Sequence, residues 1–469
     1  MGQFSGDKMQ RKLRGPWKNL ALFPGRLPPM YKGKDRQSGQ LFSDFLPFDG
    51  QLDPENRWLK IKALIPWSKL ETRFQSYFSS RGRPAKDCQL VIGLLLLKHM
   101  TGFSDEDIVA LVNENPYMQV FCGLERFSTK PLLDSSSLSR HRKRLGAKYF
   151  AELEQETYQV LIERKVIKAK GLLVDATVFP EHLRYPTDTG LLNEARQWTV
   201  KQIKKLGSSL GTKVRTYCRK AQKEYLSFSK KKNRSKKLIQ RTRKSLLQYL
   251  RRNINQMESL LDKARQKGLK IEQKVVTRLG VVRKVFNQQY QMYRDKVHRI
   301  EDRIVSLHRP WTRPIVRGKS AIKEVEFGPK ATLSYVDGFV FLDQLCSDNF
   351  PEAQRVEAQL EQYETLFGRK PSSMTADKIY GNLDNRCLLK EEEIRDAFQP
   401  LGRKASQQNP ATRWRKQKQR ERNRIEGLFG HAKNHLGLDK IRYYIQAGPE
   451  IWVRLGLMSM NLQAAVKRV

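Results

Sequence analysis

Three charged residues, Arg422, Glu426 and Lys433, have the types and the spacing needed to handle a phosphate group. In a helix predicted over 413–435, at about 100° per residue, they fall within roughly 40° of one another. The adjoining helix face is apolar and consists of Ile425, Leu428, Phe429 and Ala432. A carboxylate at the rim of a buried face, flanked by two cations, suits a metal ion that holds a phosphate. The other interpretation is a solvated helix with an (i, i+4) Arg–Glu pair.

Two aspartates lie in or directly after stretches with the pattern of buried strands. Asp175 lies within the β-rich run KAKGLLVDATVF, and Asp377 follows the short run SSMTA. Ligands of α/β sheets bind at the carboxyl ends of strands, so these aspartates and Glu426 could converge there. Three carboxylates suit two-metal phosphoryl transfer, in which two Mg²⁺ ions about 3.5–4 Å apart clamp the attacking and leaving oxygens.

The elements around these residues alternate between strands and helices. Asp337-Gly338 is a strong two-residue hairpin signal between predicted strands over 324–336 and 339–346. A further strand is predicted over 394–399, and amphipathic or apolar helices are predicted over 352–366 and 450–465. With the basic segment described below left out, this order predicts a mixed α/β sheet faced by helices.

The segment over 53–166 has helical periodicity throughout. Asp134 or Ser135 could cap a basic helix whose cations are Arg140, Arg142, Lys143 and Arg144. A helix, a glycine-containing turn and a basic helix are compatible with a helix-turn-helix-like DNA-binding domain. Small helical domains of other functions have the same pattern, so a DNA-binding domain and a helical domain with another function both stay open.

The overall charge indicates a polyanionic partner. The 469 residues include 90 Lys and Arg against 48 Asp and Glu, a formal charge of +42. Folding does not require such an imbalance, and it costs self-repulsion, so nucleic acid is the expected partner. Because 39% of the residues are hydrophobic, we expect a folded protein rather than a disordered basic tail.

The excess charge is concentrated in one segment. Residues 201–300 contain 30 Lys or Arg and 5 Asp or Glu. Apolar residues with 3-4 spacing occur at Leu247, Leu250, Ile254, Met257 and Leu261, and again at Tyr293, Val297, Ile300, Ile304 and Leu307. We therefore predict long helices packed as a hairpin or small bundle. Solvated charged faces usually contain both signs, so one sign at this density favours contact with the DNA backbone.

Cysteine use and hydropathy indicate the compartment. The five cysteines are scattered and contain no Cys-x2-Cys pair, which favours a reducing compartment and excludes a zinc ribbon. The longest apolar run, over 90–97, is too short to span a bilayer. The N-terminal residues lack the apolar core of a signal peptide. We expect a cytoplasmic protein that does not associate with membranes.

Three stretches together resemble a known family. They are LLVDATVFPEHLRYPTDTGLLNEAR around Asp175, MTADKIYGN around Asp377 and RNRIEGLFGHAK around Glu426. The chain resembles the DDE transposases of bacterial insertion sequences, which have an RNase H-like fold, and is most similar to the fifth insertion-sequence family. The signature Tyr-x2-Arg-x3-Glu-x6-Lys of that group is matched except at its tyrosine, where this chain has Gln419.

The resemblance implies roles for these residues. Asp175, Asp377 and Glu426 would be catalytic and would bind two Mg²⁺ ions, for which Mn²⁺ would substitute. Arg422 and Lys433 would contact DNA phosphates near the scissile bond. The expected partners are double-stranded DNA, at the element ends and at the target, and further copies of the chain in a homodimer or higher oligomer. The expected location is the bacterial nucleoid.

The predicted function is that of a DNA transposase, which binds the inverted-repeat ends of its element and catalyses metal-dependent phosphodiester cleavage and strand transfer. A nuclease of the same fold that cuts without joining is one alternative. A DNA-binding protein that descends from a transposase and has lost catalysis is another. An RNA-binding basic protein fits less well, because the sequence has no aromatic-rich sheet motif.

The predicted fold is multidomain, with α and α/β parts. A basic flexible arm over 1–50 precedes a helical DNA-binding domain over 51–166. An RNase H-like catalytic domain consists of 167–190 and 310–469, and a basic helical insertion over 191–309 interrupts it.

Overall fold

The computed structural model describes residues 52–79, 81, 84–317, 324–401 and 410–469. The predicted basic arm over 1–50 lies outside the described residues. Within the described ranges, no helix combines the length and the apolar character needed to cross a bilayer.

Six helices form the first part of the described chain. They are α1 Arg57–Leu64, α2 Trp67–Gln75, α3 Cys88–Thr101, α4 Asp105–Glu114, α5 Pro116–Phe121 and α6 Ser135–Glu163. Asp134 caps α6, as predicted, by accepting a hydrogen bond from the N–H of Ser136. Almost every side chain of α3 is buried, so the other helices surround it. α6 bends at Gly146, whose φ of +65° is a conformation that glycine adopts at little cost.

Within the described ranges, the strands form one five-stranded sheet and one separate two-stranded ribbon. Their bounds are β1 Leu172–Val178, β2 Pro314–Arg317, β3 Glu324–Phe327, β4 Lys330–Val336, β5 Phe339–Cys346, β6 Ser373–Thr375 and β7 Arg395–Asp396. The large sheet has the order β5-β4-β1-β6-β7, and β2 pairs with β3. The β5–β4 and β4–β1 pairs are antiparallel, whereas β1–β6 and β6–β7 are parallel. The predicted mixed sheet is therefore present.

The hairpin and the later helices also follow the sequence pattern. Asp337 and Gly338 connect β4 to β5 with φ values of +51° and +95°, as a tight hairpin turn requires. The helices after this hairpin are α11 Val356–Phe367, α12 Leu383–Glu391, α13 Pro410–His435 and α14 Gly448–Val466. Short 3-10 helices cover Glu352–Arg355 and Lys378–Tyr380.

The basic segment forms a helical body with its own apolar clusters. Its helices are α7 Asp188–Ser209, α8 Cys218–Ser229, α9 Lys236–Gln266 and α10 Gln273–Arg294. The 3-4 pattern that begins at Leu247 and ends at Leu261 lies on the buried face of α9, as predicted. The second pattern was wrong as a helix, because α10 ends at Arg294 and the chain beyond it is irregular. Ile304 and Leu307 are nevertheless buried against α7, α9 and α10.

A buried ion pair lies where the chain enters and leaves the basic segment. Arg309 and Glu181 are almost completely buried and lie 2.7 Å apart. Thr312 donates a second hydrogen bond to the same carboxylate oxygen at 2.9 Å, and Arg309 also donates to the Ile441 carbonyl at 3.0 Å. These contacts join the two chain segments that enter and leave the insertion.

Helix α14 packs against both the N-terminal helices and the large sheet. Its Asn461 exchanges hydrogen bonds with the backbone of Val340 in β5 and donates to the Tyr158 hydroxyl of α6. Arg454 pairs with Glu154 of α6. The N-terminal helices and the sheet thus share one hydrophobic core, which extends from Trp58 to Ala465.

Candidate active site

Asp175 and Asp377 occupy equivalent positions on neighbouring parallel strands. Leu173 of β1 lies opposite Thr375 of β6, and each aspartate comes two residues further along its own segment. Neighbouring strands are about 4.8 Å apart, so the side chain of Asp175, in the middle of β1, begins next to that of Asp377, which lies just past the carboxyl end of β6. The structure therefore brings these two predicted residues together.

The surroundings of Asp175 are crowded with negative charge. Its Oδ1 accepts a hydrogen bond from the Ala176 N–H at 2.8 Å. Burial raises the pKa of this carboxyl to about 6, while the Ala176 hydrogen bond and Arg422 act in the opposite direction. The charges of Asp377 and Glu352 raise the pKa further, so both carboxylates lie within electrostatic range of Asp175.

Helix α13 crosses this edge of the sheet and is fixed there by Gln419. The Gln419 side-chain amide donates to the carbonyls of Ala376 and Ala397, at 3.3 and 2.8 Å. These two residues come directly after β6 and β7. Gln419 stands where the resembling family has a tyrosine, and in this chain it connects the helix to two strand ends. Ile425 and Ala432 are buried on the same helix, as its apolar pattern predicted.

Arg422 connects the aspartate strand to the glutamate helix. One guanidinium nitrogen lies 3.4 Å from Asp175 Oδ2, and another lies 3.4 Å from Glu426 Oε1. The Glu426 side chain is 58% exposed, whereas that of Asp175 is 15% exposed. Two turns beyond Glu426, the Lys433 ammonium donates to the Thr177 hydroxyl at 3.2 Å. Arg422, Glu426 and Lys433 thus face the end of β1 from one side of α13.

The donor chemistry of the site fits a hard divalent cation. Carboxylate oxygens are the ligands that Mg²⁺ prefers, and Asp175, Asp377 and Glu426 provide only such oxygens. Across the described ranges, no three His, Cys, Asp or Glu side chains are already gathered closely enough to hold a metal. Glu426 pairs with Arg422 and is largely exposed, so its side chain would have to turn towards the aspartates.

The predicted DNA contacts on α6 divide into two groups. Arg140, Lys143 and Arg144 are exposed, and Arg144 lies over the Phe78 ring. The predicted DNA contact of Arg142 does not agree with the structure, because Arg142 is only 5% exposed and its guanidinium lies over the ring of Tyr443. It donates to both carboxylate oxygens of Asp105, at 3.1 and 2.5 Å. Arg142 is therefore part of the protein interior.

Sequence reasoning missed three residues that surround the aspartates. In the sequence, Gln419 is a departure from the family signature, although its helical spacing to Arg422 and Glu426 places it on the same face. Glu352 begins a predicted helix, yet it lies near Asp175 and pairs with Lys330 at 2.7 Å. Tyr380, three residues after Asp377, is fully buried beneath the site.

A strongly basic α/β protein with aspartates on adjacent parallel segments of its sheet, crossed by an Arg–Glu helix, has the features of an enzyme that processes polynucleotides. Comparisons with known proteins agree. Residues 46–144 match a family model described as "Transposase domain (DUF772)", and residues 374–451 match one described as "Transposase DDE domain". The second match includes Asp377, Arg422, Glu426 and Lys433.

A curated protein of Rhizobium meliloti, named "Uncharacterized protein ORF8 in nfe locus", is similar to part of the chain. The two are 34% identical over 173 residues, which is 36% of this chain and 83% of that protein. No solved structure matches the chain. The chain belongs to the DDE transposases of insertion sequences.

Proposed function

We propose that this transposase cleaves and joins DNA with a metal-dependent, RNase H-like catalytic domain made of residues 167–190 and 310–469. The observation that carries the proposal is the parallel pairing of β1 with β6, which places Asp175, in the middle of β1, beside Asp377, just past the end of β6. The sheet supports it, since two antiparallel pairs lie beside two parallel pairs around the central strand β1.

The proposed ligands are Asp175, Asp377 and Glu426, for two Mg²⁺ ions that Mn²⁺ can replace. When bound, the ions supply charge stabilisation to the attacking and leaving oxygens of a phosphodiester. Arg422 and Lys433 would bind the flanking phosphates, because both cations lie on the site-facing side of α13. Lys330 holds Glu352 at the edge of the same site.

The proposed reaction has two balanced steps. Water attacks the phosphodiester at the element end, and the P–O bond to the 3′ oxygen breaks to give a 3′-hydroxyl and a 5′-phosphate. That hydroxyl then attacks a target phosphodiester, forming a new P–O bond and releasing a 3′-hydroxyl from the target. Each step exchanges one P–O bond for another, so no covalent bond to the protein is needed.

The proposed substrate is double-stranded DNA at the inverted-repeat ends and at the target. The helical domain over 51–166 would read the ends through exposed cations of α6, among them Arg140, Lys143 and Arg144. The insertion over 191–309 would hold the backbone through its excess of cations. Since two ends must be paired, the active form would be a homodimer or a higher oligomer, located in the bacterial nucleoid.

The experiment uses DNA that carries the ends flanking this reading frame. Cleavage and joining are measured with Mg²⁺ or Mn²⁺ for the native protein and for Asp175→Ala. Joined product that disappears in the variant, with DNA binding retained, would support the proposal. Cleavage without joining would favour a nuclease. Binding without any metal-dependent product in either protein would overturn the catalytic proposal and leave a DNA-binding protein.

A further inference from the structure

Tyr380 has a buried hydroxyl without a partner, close to the candidate ligands. The residue is 0% exposed, and among the described residues its hydroxyl has no hydrogen-bond partner. Its backbone is satisfied, because its N–H donates to the Asp377 carbonyl at 3.0 Å and its own carbonyl accepts from Asn385 at 2.8 Å. Among the described residues, the hydroxyl is therefore the one polar group of Tyr380 without a hydrogen-bond partner.

Four carboxylates lie close enough to Tyr380 for their charges to act on its hydroxyl. Burial raises the pKa of Tyr380 far above its usual value, and the charges of Glu352, Asp175, Asp343 and Asp377 raise it further. The phenol therefore keeps its proton and remains a hydrogen-bond donor. A buried donor without an acceptor is costly, and phenylalanine would fill the same space without that cost.

The position of Tyr380 in the chain connects it to the site. Asp377 caps the 3-10 helix Lys378–Tyr380 by accepting a hydrogen bond from the Lys378 N–H at 2.7 Å. One short turn thus provides both a candidate ligand and a donor beneath the sheet edge. Movement of the Tyr380 ring is restricted because it is packed in the main hydrophobic core.

We propose that Tyr380 is a positioning residue for the metal site, and this inference rests on the proposed function. With a divalent cation bound, one of the candidate ligand carboxylates, Asp175 or Asp377, accepts a hydrogen bond from the Tyr380 hydroxyl. Such a hydrogen bond fixes the orientation of the ligand carboxylate. This role gives the buried Tyr380 hydroxyl a partner and accounts for a tyrosine rather than a phenylalanine at this position.

The test compares Tyr380→Phe with Tyr363→Phe in the full chain without DNA. Tyr363 is the matched control, because its hydroxyl donates to the Lys170 carbonyl at 2.6 Å and therefore already has a partner. Mn²⁺ binding is measured by titration calorimetry, and thermal unfolding is measured in EDTA. Asp175→Asn provides the reference for a damaged metal site.

We expect Tyr380→Phe to weaken Mn²⁺ binding about 10–100-fold, while its melting temperature in EDTA stays equal to the native value or rises. Tyr363→Phe should keep native Mn²⁺ affinity. A packing role cannot give this combination, because damaged packing would lower the melting temperature. Native Mn²⁺ affinity in Tyr380→Phe, or a lower melting temperature in EDTA, would overturn the role of Tyr380 alone. Native protein that binds no more Mn²⁺ than Asp175→Asn would instead overturn the proposed function.

Discussion

The candidate active site and the basic insertion use charge in opposite ways. At the site, charges of both signs lie within a few ångströms of each other, as in the contacts of Arg422 with Asp175 and Glu426. In the insertion, acidic side chains form ion pairs with nearby cations, such as Glu258 with Arg283 and Glu272 with Lys274. Most of the remaining Lys and Arg side chains face solvent.

This difference separates two kinds of response. Exposed cations that replace counterions on DNA make binding depend on salt. Partly buried carboxylates that face each other make stability and catalysis depend on pH and on the exact identity of each side chain. We therefore expect variants in the sheet region to change turnover or pH dependence, and variants in the insertion to change salt dependence.

The largest expected effect is that of Glu426→Gln on cleavage. Removing a proposed metal ligand should reduce the cleavage rate by about 10³-fold or more, with DNA affinity close to native. Cleavage of end-containing DNA at saturating Mg²⁺ measures it. Glu421→Gln on the same helix is the control, since Glu421 pairs with Lys418 at 2.8 Å and does not face the aspartates. Equal rates for the two variants would contradict the assignment.

The next effect is a pH dependence of stability that comes from Asp343. Burial raises the pKa of this β5 carboxyl to about 7. The folded state therefore holds its proton more tightly than the unfolded state. The stabilisation is present at low pH and is lost as pH rises through 7. Because of Asp343, the free energy of unfolding should thus be roughly 3 kcal/mol lower at pH 8 than at pH 5.

Asp343→Asn should remove this part of the pH dependence. Denaturant unfolding at pH 5 and pH 8 measures the difference, and Asp348→Asn, at an exposed position, is the control. If Asp343→Asn lost as much stability as the native protein between the two pH values, the assignment to Asp343 would be wrong.

The insertion is tested by a triple substitution on α9. Lys237, Arg241 and Lys244 are exposed and lie on one helix face. Replacing all three by Gln should reduce the slope of log affinity against log salt by about 2–3, with the cleavage rate at saturating protein unchanged. Arg243→Gln is the control, because Arg243 is buried near Asp188 and should affect stability instead. A native salt slope in the triple variant would show that this face does not contact DNA.

The smallest expected effect is that of Gln419→Leu. The substitution removes two hydrogen bonds that hold α13 against the ends of β6 and β7. We expect a loss of about 1–2 kcal/mol of stability and about a tenfold slower cleavage. Gln417→Leu, at an exposed position two residues away on the opposite face of α13, should leave both unchanged. Native cleavage by Gln419→Leu would limit Gln419 to a structural role.

Local sequence patterns predicted the elements of the site well. The strand around Asp175, the Asp337-Gly338 hairpin and the helix around Glu426 all appear where periodicity and turn residues indicated them. These features depend on neighbours in sequence, through alternation, helical spacing and turn geometry. The sequence also predicted that Asp175 and Asp377 would converge, and the parallel pairing of β1 with β6 places them close together, although Asp175 lies in the middle of β1 rather than at its carboxyl end.

Contacts between distant segments could not be predicted from such patterns. Arg142 has the same type and spacing as its exposed neighbours, and only the approach of Asp105 and Tyr443 buries it. The 3-4 spacing after Tyr293 predicted a helix, but the chain there leaves α10 and packs irregularly against it. Whether a periodic apolar set is helical depends on what packs against it, which local spacing does not specify.

The position of α14 has a consequence for how the protein is made. Its residues complete a core whose other half comes from α3 and α6, more than 280 residues earlier in the chain. During synthesis at about 5–20 residues per second, the N-terminal helices leave the ribosome well before α14. Until α14 is made, the apolar side chains that it contacts on α3 and α6 remain exposed to solvent. The N-terminal helices therefore reach their final packing only after nearly the whole chain has been synthesised. Chains that end before α14 should accordingly leave apolar surface of α3 and α6 exposed.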